Sequence, residues 1–143
     1  MAVTYTVSNH FKQILNKGDI DFDTDVFRVI LMDDAFVFDK DAHATLANVT
    51  ASQLATGGGY TQDNETLANV TVTEDDTEDK SSVTWDNVTW TATAAGIGPT
   101  GAYIVYNDTT ADDTVCWCVD FGTDYTLSED SSLELQNLKY SLV

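Results

Sequence analysis

The sequence predicts a mainly-β protein: an antiparallel β-sandwich, jelly-roll-like, with one short N-terminal helix, folded as a single domain over residues 1–143. Three observations carry this. Only residues 9–17 hold apolar side chains at helical spacing, and after Lys17 the period of 3.6 disappears. About seven or eight short runs rich in Val, Thr, Tyr, Phe and Trp follow, separated by turn signals such as "GTD" and "NDTTADD". Within two of the runs the apolar positions slip from one parity to the other, as they do where strands bend or bulge.

Residues 2–7 read as a first strand. Ser8 then offers an N-cap to "NHFKQILNK", which sets Phe11, Ile14 and Leu15 on one face, with Gly18 as the C-terminal stop. "DVFRVILM" (25–32) is apolar on both parities, as a strand covered on both faces would be. Residues 33–59 form a long connection with a helical turn expected near 51–55, and loops of that length tend to be functional or to touch partners. "TLANVTVT" (66–73) places Ala68, Val70 and Val72 on one face. In 81–92, Val83 and Trp85 are odd but Val88 and Trp90 even, so Asp86-Asn87 must be a turn, corner or bulge. In 131–143 the same slip separates Leu133 and Leu135 from Leu138, Tyr140 and Leu142, and a bulge near Gln136-Asn137 accounts for it. Runs 102–107 and 113–121 complete the set. The second is apolar on both faces around "VCWCV", so either the helix, the long loop or another subunit must cover its second face.

A chain of 143 residues buries roughly two thirds of its unfolded surface in one core. Six Lys and Arg stand against 24 Asp and Glu, a formal charge of −18. That balance repels phosphate backbones and anionic lipid, so neither nucleic acid nor a membrane is an expected partner. The start, "MAVTYTVSNHF", shows no basic stretch followed by an apolar one, and no apolar run approaches the ~20 residues that span a bilayer. The expectation is a soluble protein made in the cytoplasm.

Motifs of known chemistry are incomplete. "GIGPTG" (96–101) spells the dinucleotide fingerprint, but Pro99 sits inside it and a strand follows, so a tight loop is expected. Asp19, Asp21, Asp23 and Asp25 begin like an EF-hand, yet Thr24 and Ile30 stand where that loop needs Gly and Glu. In "EDDTED" (74–79) the acids are adjacent and point several ways, as in a solvated loop that keeps strand edges from pairing. Cys116 and Cys118 would share one face of a strand, too poorly aimed for a disulfide, and read as reduced core residues. His10 and His43 belong to no catalytic pattern. Five N-x-T triplets arise readily in a Thr-rich strand protein. No cofactor, metal or catalytic site is therefore expected, and Trp85, Trp90 and Trp117 read mostly as core.

One ordered series of phrases goes further. "VSNHFKQILNKGDIDF", "FRVILMDDAFVFDKDAHATLANV", "ATGGGYTQDNETLANVTV", "WDNVTW", "AYIVYNDTTADDTV" and "VDFG" together resemble a family of small virion structural proteins of tailed bacteriophages, from about residue 7 to 140. The resemblance implies a structural role, such as capsid decoration or a head- or tail-associated component, and no catalytic residues. Joined to the charge, it implies a decoration (cement) protein on the outer capsid surface. Its expected partners are the major capsid protein and further copies of itself. Lys12, Lys17, Arg28 and Lys40, gathered in the first third of the chain, are the expected contact residues. A tail, neck or fibre component, a carbohydrate-binding module built on exposed aromatics, and a hydrolase are the competing readings.

Overall fold

The structure, a computed structural model, describes residues 2–143. Ser8 accepts the Phe11 N–H on its hydroxyl and caps helix α1 (Asn9–Lys17), which ends at Gly18 in the left-handed conformation, φ 80°. These are the boundaries that the cap residues dictate. Phe11 is fully buried, while Ile14 and Leu15 pack at the margin of the core.

The remainder is β-structure joined by irregular segments. Strands β1 (Thr4–Val7), β2 (Phe27–Asp33), β3 (Glu65–Thr66), β7 (Ile97–Asn107) and β8 (Val115–Leu127) form a five-stranded sheet in the order β1-β8-β7-β2-β3. Strands β4 (Thr71–Asp75), β5 (Lys80–Thr84) and β10 (Lys139–Leu142) form a second sheet, ordered β10-β5-β4, and β6 (Val88–Thr91) pairs with β9 (Ser132–Leu135). Every pairing is antiparallel. The fold is thus mainly β and sandwich-like, with the large sheet as one layer and the two smaller sheets as the other.

The two smaller sheets are segments of one bent ribbon. Thr84 pairs with Lys139 and Val88 with Leu135, so residues 85–87 lie opposite 136–138. The expected bulge near Gln136-Asn137 is therefore a corner: three residues face three, and both strands break at the same level. The Trp85 N–H donates to the Leu138 carbonyl at 3.0 Å, and Asn137 turns the chain at φ 56°.

Apolar clusters cover both faces of the large sheet. Phe27, Val29 and Leu31 face the ribbon and α1, where Trp85, Trp90 and Trp117 are all buried. Ile30, Met32, Ile104 and Cys118 face the other way, against Phe36, Phe38, Leu46 and Val49 of the 34–52 connection. The long loop supplies the second cover, with short helix α2 (Leu46–Val49) and a 3-10 turn (Thr50–Ser52) earlier than the 51–55 expected. Asn48 fixes that start: its Oδ1 accepts the N–H groups of Ala44 and Thr45 at 3.1 and 2.9 Å.

Three local expectations are corrected by backbone detail. Val105 pairs with Trp117 and Tyr106 with Val115, so Cys116 is an extra residue in β8. The bulge turns Cys116 toward the ribbon and leaves Cys118 on the loop-covered face. The cysteines do not share a face. Both are free thiols, and burial pushes Cys118 up to about 12. "GIGPTG" is not a loop ahead of a strand: all of it but Gly96 is the first part of β7 itself, irregular in register between Ile97 and Ala102. Finally, the 66–73 run breaks at Asn69 (φ 55°), so Leu67 is buried in place of Ala68, and Val72 is exposed.

Candidate functional site

Lys12 and Lys17 stand exposed on α1. Lys40 joins them, because its carbonyl accepts the Asn9 N–H at 3.0 Å and so holds its loop against the start of the helix. Lys17 lies 3.7 Å from Asp19 and Lys40 3.0 Å from Asp41, surface pairs worth little and easily exchanged for another acidic partner. Arg28 is employed differently. Its Nε donates to Asp108 at 3.0 Å and its Nη1 to the Asp63 carbonyl at 3.0 Å, clamping β2 to two neighbouring loops. Asp113 stands close to this group. Its carboxyl is raised by burial first, then by Asp108, Asp112 and Asp63. Arg28 therefore offsets internal negative charge, and Lys12, Lys17 and Lys40 are the three of the four expected contact residues that share one region.

The acids are distributed unequally. Residues 2–18 and 135–143 contain no Asp or Glu and carry Lys12, Lys17 and Lys139; all 24 acids lie elsewhere. The fold brings these two segments together. β1 forms one edge of the large sheet, β10 one edge of the ribbon, and the Tyr5 hydroxyl meets the Lys139 carbonyl at 3.5 Å across the gap. On the other side of β10, Leu15 and Asn16 of α1 line a groove with Phe22, Tyr140 and Leu142. β1, α1 and β10 thus contribute no acidic side chain of their own, while Asp41, Asp112 and Asp19 of neighbouring loops reach Asn9, His10 and Lys17 of α1. A cleft of about 420 Å³ opens between β1 and β10, floored by Val3, Tyr5, Tyr103 and Val119 and walled by Lys139 and Ser141.

The acid run occupies the opposite edge of the ribbon. Residues 75–80 are the tip of the β4–β5 hairpin, where the Asp75 carboxylate accepts the Thr77 and Glu78 N–H groups, each at 3.1 Å. The tip is solvent-facing, as a charged loop guarding an edge should be. The Asp19–Asp25 stretch is folded by its own hydrogen bonds: Asp25 accepts from the Asp21 N–H and from buried Asn107 at 2.7 Å. Among the described residues, no group of three or more His, Cys, Asp or Glu is arranged to hold a metal ion.

His10 Nε2 meets Asp112 Oδ2 at 2.8 Å, and the Thr114 hydroxyl donates to Asp112 Oδ1 at 2.6 Å. The carboxylate lies between imidazole and hydroxyl. A relay that activates a nucleophile needs the imidazole in the middle. His43 accepts the Asp39 N–H on Nδ1 at 3.0 Å and stacks on Phe36 at 5.3 Å. Both histidines therefore tie loops down.

Asp112 makes stability depend on pH. Burial raises its carboxyl, but the hydrogen bonds from Thr114 and His10 outweigh that and hold it below its ordinary value of 3.8. A depressed carboxylate stabilises fully above that value, and the contribution fades as pH falls through the lower folded one. Asp112→Asn is expected to flatten the acid limb of a plot of urea midpoint against pH below about pH 4, relative to wild type.

No match was found with any family model, any curated protein or any solved structure. The virion resemblance accordingly rests on the ordered series of phrases alone.

Sequence reasoning missed the two acid-free segments. It looked for positive residues, whereas the signal was the absence of negative ones at both chain ends, which were not known to meet until the strand order was in hand.

Proposed function

We propose that this protein is a structural component of a tailed-bacteriophage particle. It decorates the outer surface of the assembled capsid shell, docks by its α1 side, where Lys12 and Lys17 are exposed, and stabilises the lattice. The observation that carries this reading is the segregation of charge. β1, α1 and β10 contribute no acidic side chain, and every Asp and Glu belongs to other segments of the chain. Docking by the α1 side turns the negative bulk toward solvent, where it repels neighbouring particles. The same charge opposes a place beside packaged DNA. All three tryptophans are in the core, so they offer no stacking platform for a sugar.

A protein that binds the assembled lattice and not its free subunits stabilises the lattice by mass action. Mixed with empty shells, the protein is expected to sediment with them, to saturate at a fixed ratio to the major capsid protein and to raise the temperature of shell disassembly. Free capsid subunits should not bind it. The Lys12→Glu, Lys17→Glu double variant is expected to bind shells several-fold more weakly, with the loss greatest at low salt. A few copies per purified particle, found in the tail fraction, would reassign the protein to the tail, neck or fibre. Absence from particles would overturn the reading altogether.

A further inference from the structure

We propose that β10 is a self-pairing edge. Two copies join antiparallel about a two-fold axis through this strand, making one six-stranded sheet in the order β4-β5-β10-β10-β5-β4. The inference does not depend on the virion reading.

In an antiparallel ladder, successive residues direct N–H and C=O alternately toward and away from a given neighbour. The Leu138 carbonyl accepts from Trp85, so it faces β5; the Lys139 carbonyl reaches Tyr5, so it faces away. Tyr140 and Leu142 therefore bond to β5 opposite Val83 and Ser81, and Lys139 and Ser141 present their backbone groups to the open side, where only the Lys139 carbonyl has a contact, the long one from Tyr5. Such groups are a template for another strand.

The two edges of the ribbon are treated differently. β4 carries Glu74 and Asp75 and runs into the acidic hairpin tip, which opposes pairing. β10 carries no acid, and its one charge is Lys139. It is also flanked by uncovered apolar surface: Val3 is 66% exposed, Tyr5 45% and Leu142 58%. A strand laid along β10 would lie over the Val3–Tyr5 floor of the cleft.

The charge selects the occupant. Two bodies of −18 repel over most of their surfaces, and the β1–β10 edge, whose strands carry no acidic side chain, is where two copies approach with least repulsion. Any strand added there must itself lack acids, and β10 meets that requirement. With Ser141 opposite Ser141 of the second copy, Tyr140 of each faces Leu142 of the other. The symmetric contact then covers both exposed leucines and closes on itself, leaving only the acid-guarded β4 edges at the two ends of the sheet.

The test is the mass of the purified full chain by sedimentation equilibrium, from about 1 μM to 1 mM, the range over which weak specific contacts dissociate. A dimer of twice 15.6 kDa is expected, tightening as salt rises because screening weakens the mutual repulsion. Amide exchange at Lys139 and Ser141 should slow with protein concentration. Ser141→Pro removes one outward N–H and no backbone bond to β5, losing there only the hydroxyl contact with Ser82 at 3.2 Å, so it should give a folded monomer. Val3→Asp, placing a carboxylate in the cleft, should weaken the dimer at least tenfold without touching β10. Val37→Asp, at an exposed site on the covering loop, should leave it unchanged. A wild-type monomer throughout the range would overturn the proposal. So would a dimer indifferent to Val3→Asp, or one in which the two amides exchange at the same rate at all concentrations.

Discussion

Trp117→Ala is expected to lower stability by about 3–5 kcal/mol, the range for deleting a large aromatic from a packed core. For a chain of this size that corresponds to roughly 10–15 °C in Tm by thermal unfolding. Trp117 is fully buried and sits at the centre of an aromatic cluster. It stacks on Tyr140 at 5.7 Å and meets Phe11 edge-on at 5.8 Å, with Trp85 at 5.9 Å and Tyr5 at 6.0 Å. These neighbours come from α1, β1, β10 and the corner of the ribbon, so no single element can relax into the hole. Trp117→Phe separates volume from polarity. The indole N–H is buried and meets no acceptor among the described residues. Removing that unpaired donor offsets part of the lost packing, so the Phe variant is expected to cost under about half as much as Ala. A Phe variant as unstable as Ala would show that the indole N–H carries no such penalty.

Gly58→Ala is expected to cost about 3 kcal/mol, and denaturant unfolding should show it as a lower midpoint with an unchanged slope. Two effects add. Gly58 adopts φ 63°, where a side chain is strained by about 1–2 kcal/mol. A Cβ there would also stand 1.7 Å from the Gly96 carbonyl oxygen, a backbone atom that cannot swing aside. Gly18 supplies the control. Its φ is also positive, at 80°, but a Cβ there meets nothing within 4 Å. Gly18→Ala should therefore show the conformational cost alone, about 1–2 kcal/mol.

Local chemistry was the part of the fold legible in the sequence. Ser8, the Phe11-Ile14-Leu15 face and Gly18 fixed α1, because a cap and a period are written within a dozen residues. The two-sided apolar character of 25–32 and "VCWCV" was real, and the slip at Asp86-Asn87 marked a true break. Bulges defeated the reading elsewhere. One extra residue at Cys116 turns it to the face opposite Cys118, and nothing in "VCWCV" distinguishes that from regular alternation. Likewise "GIGPTG" has turn composition yet all of it but Gly96 lies in β7, since its neighbours β2 and β8 supply a ladder that composition cannot reveal. The candidate site depended still more on long-range pairing. Lys12, Lys17 and Lys40 could be named from the chain, but Arg28 could not be set apart from them until Asp108 was seen beside it.

The matched corners of the ribbon bear on which changes of length the fold can absorb. Residues 85–87 and 136–138 are counterparts, equal in number though far apart in the chain. Omitting Asn87 alone would leave the sheets on either side of the break out of step by one position, turning either Val88 and Trp90 or Val83 outward. Omitting Asn137 as well would restore the match and merely tighten the bend. Insertions and deletions at these two places should thus be tolerated as compensating pairs and rejected singly.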